Sequence, residues 1–342
     1  MKRVIGMCLG LAIALLLTAF AGENPWHIFM ILVKSAFGST YDLGLTLSYT
    51  TPLIFTGLSV AIAFHAGLFN VGAEGQLTMA AVTAAAVGVL MPQIPFPLAP
   101  VFALFVGVAA GALWGFIPGW LKAARGSHEV IVTIMMNFIA AGLASWFALE
   151  IIPNPNSQNP ETAMVSANYM FKEYDLLVRW FPDTPVNASL VVAIILAFLI
   201  WIFLWKTTWG FDLRAVGENP EAARRGGIPA KRVQILAMIL AGGLAGFVAL
   251  SEVLGSAGQY RIGFSPDYGF IGIAVALLAG NNPLGIIFAA FLMGALHKGA
   301  SDLDLETNTI TRDFSRIIQA LIILGVAAQG YWDWLQKKKG KK

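Results

Sequence analysis

Apolar residues run almost unbroken through long stretches of this chain, and charged residues gather in the short segments between them. The runs 4–20, 98–121 and 190–205 approach or exceed the length an α-helix needs to cross the hydrocarbon core of a bilayer, about 20 residues. The pattern predicts spans near 4–21, 45–66, 76–91, 98–121, 129–151, 188–205 and 233–252, and a last one near 314–334. The stretch 268–298 is too long for one ordinary span and is interrupted at Asn281, Asn282 and Pro283. Proline offers no amide donor and disfavours helical geometry in the residue before it, so two short helices, 268–280 and 284–298, are expected. The fold class is therefore an all-α polytopic membrane protein with ten transmembrane or half-membrane helices.

Charge supports that count. With the N-terminus inside, fifteen of the 22 lysines and arginines fall on the inner side, including Lys337, Lys338, Lys339, Lys341 and Lys342 at the C-terminus. A nine-span arrangement would carry that basic tail outside, against the positive-inside rule. Composition agrees: the 342 residues are 57% hydrophobic and 12% charged, where a soluble domain carries about 25% charged residues. The net charge of +3 says nothing about nucleic acid, because the basic residues flank spans. Cys8 is the single cysteine, which excludes a disulfide within the chain. Met1-Lys2-Arg3 with Ala19-Phe20-Ala21 resembles a secretory signal, but the apolar run is longer than a usual signal core and a retained first span is expected.

Two outer segments stand out, 153–186 and the acidic 301–313. Each reads either as a solvated connector or as a landing surface for an extracytoplasmic binding protein. Gly107, Gly111, Gly115 and Gly119 recur every fourth residue, a smooth stripe suited to close helix packing within the subunit or at a dimer seam.

The chemistry-bearing residues argue against catalysis. No G-x-x-x-x-G-K-[ST] loop exists, so ATP hydrolysis must belong to another subunit, and no cofactor is expected on this chain. The four histidines, His27, His65, His128 and His297, are too scattered to hold a metal. Polar residues inside spans are costly and need partners or a watery path. Asn70, Glu74 and Gln76 lie in such a segment, 67–76, whose glycines allow unwinding; Asn70 and Glu74 would share a face if it were helical. It reads either as a polar element beside a translocation path or as a cytoplasmic turn with Glu74 in solvent. Glu129, Thr133 and Asn137 form a second stripe, lining a path or bonding to a neighbouring helix. Asn281 and Asn282 either satisfy backbone groups freed by Pro283 or touch a solute.

The loop 215–228 predicts a short surface helix. Asn219 would cap it, Pro220 would occupy its first turn, Glu221 to Arg225 would form its body, and Gly226 and Gly227 would end it. It reads as a docking handle, with Ala222 and Ala223 as a flat contact; Arg224 and Arg225 read either as cations for carboxylates of a partner or as positive-inside anchors near lipid headgroups.

Four segments in order, GLFNVGAEGQ at 67–76, HEVIVTIMMNF at 128–138, AVGENPEAARRGGI at 215–228 and AGNNPLG at 279–285, resemble the membrane permeases of bacterial ABC importers in the branched-chain amino acid and ribose permease superfamily, most of all its nucleoside and simple-sugar branch. The resemblance implies one permease domain of about ten helices in the cytoplasmic membrane, with both termini cytoplasmic. It also implies two cytoplasmic ATPase subunits that hold ATP and Mg, a second permease subunit and a substrate-binding lipoprotein outside. Gly217, Glu218, Asn219, Pro220, Glu221, Ala222, Ala223, Arg224, Arg225 and Gly227 correspond to the loop that couples to the ATPase. Asn70, Glu74, Gly75 and Gln76 correspond to the early motif; with Thr133, Asn137, Asn281 and Asn282 they are the candidates for the path. The outer loop 152–187 and the start His128-Glu129-Val130-Ile131 resemble the larger member of a pair of different permeases, so a heteromeric partner is expected. The scarcity of charge in the spans fits a neutral solute, with nucleosides first and simple sugars or branched-chain amino acids as alternatives. An ATP-independent secondary transporter is the rival of another class, and Glu74 and Glu252 are its only candidates for ion coupling.

Overall fold

A computed structural model describes residues 2–20, 22–171 and 176–307, with 317, 320, 321 and 324 further on. Its elements are helical. In order they are α1 (Lys2–Phe20), α2 (Pro25–Phe37), α3 (Thr40–His65), α4 (Ala73–Leu90), α5 (Leu98–Arg125), α6 (Glu129–Trp146), α7 (Leu176–Trp180), α8 (Ser189–Lys206), α9 (Thr208–Glu218), α10 (Pro220–Arg225), α11 (Ala230–Gly246), α12 (Tyr268–Ala279) and α13 (Pro283–Glu306). Wider π-helical turns extend α6 over Phe147–Ile151 and follow α11 over Leu250–Ala257. Among the described residues, seven helices are long and apolar enough to cross a membrane, and shorter apolar helices accompany them. Extended pairing among the described residues is limited to two isolated bridges, Pro153–Thr162 and Glu161–Arg261.

The break before Pro283 is formed as the sequence predicts. Gly280 closes α12 with φ 66°, Asn281 follows at φ 59°, and the Asn282 carboxamide oxygen accepts from the Leu284 N–H at 3.0 Å to cap α13. Elsewhere the boundaries shift. The helix expected to begin at Gln76 begins at Ala73, so Glu74 lies in its first turn, while 66–72 is not helical. The 13-residue helix α2 is too short to register as a span, and its Asn24 cap and Pro25 start were not anticipated. The span expected at 314–334 lies outside the described residues, apart from four positions.

Two compact units emerge. The first is built from Met1–Thr50 and Phe291–Lys342. Ile28, Ile31 and Leu32 of α2 pack there with Ala14, Ala300 and Leu303. Its buried cation, Lys298, reaches Asp42 at 3.5 Å and also pairs with Asp302 one turn along α13.

The second unit, Thr51–Ala290, contains the glycine stripe. Gly107, Gly111, Gly115 and Gly119 are all buried. A Cβ at Gly107 would press on the Ala80 carbonyl oxygen, at Gly115 it would overlap the Met238 carbonyl oxygen, and at Gly119 it would meet the Met238 side chain. The stripe therefore seats α5 directly on the backbones of α4 and α11. Where lipid provides no hydrophobic drive between helices, this close approach supplies the packing. It also leaves α6 on the rim of the unit, with Ile131 60%, Phe138 70% and Ile139 50% exposed.

Candidate functional site

The segment 66–72 turns the chain from the end of α3 back into α4. Its bend is held by a pair of side-chain amides. Asn70 Nδ2 donates to Gln76 Oε1 at 2.9 Å, and Gln76 Nε2 donates back to Asn70 Oδ1 at 3.2 Å. Asn70 Oδ1 also accepts from the Gly72 N–H at 3.0 Å. Both side chains are buried, at 0% and 1% exposure, and are spent on each other. Asn70 and Glu74 thus share no helical face: Asn70 lies before the helix and points to Gln76, whereas Glu74 points the other way.

Glu74 does not stand in solvent. Its Oε2 accepts from the Gly269 N–H at 2.7 Å, in the first turn of α12. A Cβ at Gly269 would overlap the Glu74 backbone nitrogen, so only glycine permits this approach. The carboxylate therefore sits where two helices begin, α4 and α12, at the positive ends of their dipoles.

The stripe on α6 divides into three different jobs. Glu129 pairs with Lys122 at 2.8 Å. Thr133 is buried, and its hydroxyl donates to the Glu129 carbonyl of its own helix at 2.8 Å. Asn137 staples α6 to the reverse turn: Oδ1 accepts from the Gly75 N–H at 2.8 Å, and Nδ2 donates to the Val71 carbonyl at 3.0 Å.

Glu74 and Asn137 share the wall of a small pocket of about 150 Å³. Thr78 and Ser145 add hydroxyls, and Tyr260 and Phe264 supply rings from the connector 258–267. The two rings meet edge to face, with centroids 5.5 Å apart. The connector is fastened to the outer loop by Glu161, which is 6% exposed. Its carboxylate accepts from Asn154 Nδ2 at 3.1 Å, Gln259 Nε2 at 2.7 Å and Arg261 Nε at 3.2 Å. Burial and the neighbouring Glu74 charge push the Tyr260 phenol up to about 12, so it keeps its proton at any physiological pH.

Asn281 and Asn282 lie apart from this pocket. The Asn281 carbonyl oxygen is 2.9 Å from His65 Nε2 at the end of α3, while Asn282 is the exposed cap of α13. Tyr260, Phe264 and Ser145 are pocket residues that sequence reasoning missed, as it missed Gly269, the partner of Glu74. Gly258 and Gly263, with φ 67° and 75°, are the one sequence-visible sign of an irregular path there.

The short surface helix of the loop 215–228 forms as predicted. Asn219 Oδ1 accepts from the Glu221 and Ala222 N–H groups, each at 3.0 Å, and Pro220 opens α10. Gly226 caps the helix, and Gly227 turns away at φ 88°. One expectation is corrected. Ala222 is exposed, but Ala223 is 7% exposed and faces inward, so the two do not form one flat outer contact. Arg224 is engaged with Glu221 at 2.7 Å, which leaves Arg225 as the exposed cation without that tether. Behind the handle, Gly217 of α9 presses on the chain at the end of α3. A Cβ there would overlap the His65 carbonyl oxygen and stand 3.0 Å from the Gly67 nitrogen.

The chain is similar along nearly its whole length to known proteins. The guanosine ABC transporter permease protein NupP of Bacillus subtilis (strain 168) is 35% identical over 99% of this chain and 96% of its own length. The nucleoside ABC transporter permease protein NupB of Lactococcus lactis subsp. cremoris (strain MG1363) is 36% identical over 95% of this chain and 89% of its own length. The glucose ABC transporter permease protein TsgB13 of Haloferax volcanii is 32% identical, covering 88% of this chain and 80% of its own length. A second nucleoside permease protein of the same Lactococcus strain, NupC, is more distant, 25% identical over 72% of this chain and 78% of its own length. Residues 43–327 match the family described as the permease component of the branched-chain amino acid transport system, and the chain belongs to that family.

Proposed function

We propose that this chain forms one half of the translocation path of an ATP-driven nucleoside importer. The carrying observation is the Glu74–Asn137–Tyr260 pocket, whose wall combines polar side chains with an aromatic pair, the mixed lining that a flat, neutral, hydroxylated base-and-sugar solute calls for. Its volume of about 150 Å³ is below the roughly 300–1,000 Å³ of a complete small-molecule site. The apolar face of α6, exposed beside it, is where a second permease would supply the other half. NupB and NupC coming from one organism supports a partner that is a different chain, and the closer likeness to NupB supports this chain as the NupB-type member.

In the proposed cycle a loaded lipoprotein docks on the outer loop 152–187, and cytoplasmic ATPases, which hold ATP and Mg, close beneath α10. Their movement passes through α9 to the end of α3 and the turn 66–72. This chain supplies no catalysis. The basic C-terminal tail supports placing both termini on the cytoplasmic side of a bacterial membrane. A sugar importer is the second reading, favoured by the likeness to TsgB13.

The test is tagged purification in mild detergent with mass spectrometry of the co-purifying chains, followed by uptake of labelled guanosine, uridine and glucose. Recovery of an ATPase, a lipoprotein and a second permease, with guanosine uptake that excess glucose does not inhibit, supports the proposal. Inhibition by glucose alone selects the sugar reading. Uptake by the lone chain in liposomes without ATP overturns both.

A further inference from the structure

A second, larger pocket of about 460 Å³ lies beside the docking handle, between the end of α3 (Phe64, His65), the end of α8 (Trp205) and α9 (Phe211, Arg214, Glu218). Its cation is prepared but unused. The Arg214 guanidinium carbon lies 4.7 Å from the Trp205 ring centroid, a cation–π contact that fixes the plane of the fork. Arg214 Nε is buried with no hydrogen-bond partner. None of the ion pairs among the described residues involves Arg214. A buried guanidinium N–H left without an acceptor is costly, and oxyanions that offer two oxygens to the planar fork, carboxylate and phosphate, are the ligands whose geometry it matches.

Three further observations narrow the ligand. Trp205, Trp209 and Phe211 are 38%, 63% and 58% exposed, with Lys206 exposed among them. This is the aromatic and cationic fringe of a membrane–water interface. Glu218 stands on the same pocket wall one helical turn beyond Arg214; four residues at the helical rise place the two backbone positions about 6 Å apart along the axis. The pocket thus offers a cation for a phosphodiester and, one turn away, an anion for a primary ammonium. We propose that this pocket binds a phosphoethanolamine headgroup, with its phosphate on Arg214 and its ammonium on Glu218, so that a membrane phospholipid fills the space between α8 and α9 beside the handle. The proposal is independent of the transported solute.

The test uses the full chain with its co-purifying subunits in nanodiscs containing equal amounts of phosphatidylethanolamine, phosphatidylglycerol and phosphatidylcholine. Lipid that survives extraction is then quantified by native mass spectrometry. The wild type is expected to retain phosphatidylethanolamine about tenfold over either competitor, and Arg214→Gln to lose that retention, because a charged bidentate contact is removed. Glu218→Gln alters only an exposed side chain and remains informative if Arg214→Gln fails to fold. It should reverse the preference toward phosphatidylglycerol. A parallel arm adds free phosphoethanolamine or inorganic phosphate to detergent-solubilised protein. Displacement of the retained lipid by phosphoethanolamine alone shows that the headgroup itself is recognised; displacement by inorganic phosphate alone assigns the site to a soluble phosphate and overturns the lipid. Equal retention of all three lipids by the wild type, or unchanged selectivity in Glu218→Gln, also overturns it.

Discussion

The Glu74 carboxylate accepts the Gly269 N–H at 2.7 Å, a contact between residues 195 positions apart in the chain. It joins the first turns of α4 and α12 at the wall of the smaller pocket. Glu74→Gln keeps an oxygen acceptor for that amide and should cost about 1 kcal/mol or less, because the hydrogen bond survives the change. Glu74→Ala leaves the Gly269 N–H unpaired and should cost about 1–3 kcal/mol. Thermal unfolding in detergent, read beside solute uptake, separates the two. Equal losses for both variants would remove the hydrogen bond from the explanation.

Asn137 holds the Gly75 N–H of α4 and the Val71 carbonyl of the turn before it at the same time. Asn137→Asp can still accept from Gly75 but cannot donate to Val71, whereas Asn137→Ala does neither. The expected order of stability is wild type, then Asp, then Ala, with each unpaired buried group costing about 1–3 kcal/mol. Uptake should fall in the same order, and an Asp variant no more stable than Ala would contradict the staple.

At the handle, the burial of Ala223 changes which substitution is diagnostic. Ala223→Glu would force a carboxylate into a packed position at roughly 3 kcal/mol or more and disturb α10 itself. Ala222→Glu alters only the outer face. It should insert normally and lose at least most solute-stimulated ATP hydrolysis, measured on the purified complex. Glu221→Ala removes an exposed ion pair with a stability effect of about 0.5 kcal/mol or less, so any larger fall in stimulated hydrolysis reports a contact made by Glu221 outside this chain.

Tyr260 supplies a pH signature. Its phenol is raised to about 12 in the folded protein, against about 10 when unfolded. The folded state holds the proton more tightly, so this contribution to stability is complete below pH 10 and is lost as the pH climbs toward the folded value. The unfolding midpoint of the wild type should therefore drop further between pH 8 and 11 than that of Tyr260→Phe. Parallel drops would show that other groups govern the alkaline limit.

Much of the helical framework was legible because bilayer thickness imposes one length on every span, and the break at Pro283 was legible because proline lacks an amide. The Asn219 cap was equally plain, being local chemistry over four residues. The pocket was not. Glu74 and Asn137 were visible as polar residues in an apolar chain, yet nothing near them in sequence names Gly269, Tyr260 or Phe264 as neighbours. The amide pair of Asn70 and Gln76 misled for a related reason: two costly polar side chains that satisfy each other are indistinguishable, by sequence, from two that face a solute. Ala222 and Ala223 read alike because a six-residue helix is too short to display a period.

The contact of Gly217 with the end of α3 has a mechanical consequence. Where side chains meet, a push from one side is partly absorbed as rotamers swing and gaps close. Here a Cα bears directly on a carbonyl oxygen and an amide nitrogen, with no rotatable bond between the two main chains. Such a joint has almost no slack. A displacement of α9 smaller than a typical side-chain rearrangement would reach the turn before α4 at nearly full size, and any residue with a Cβ at 217 would wedge the joint open rather than soften it.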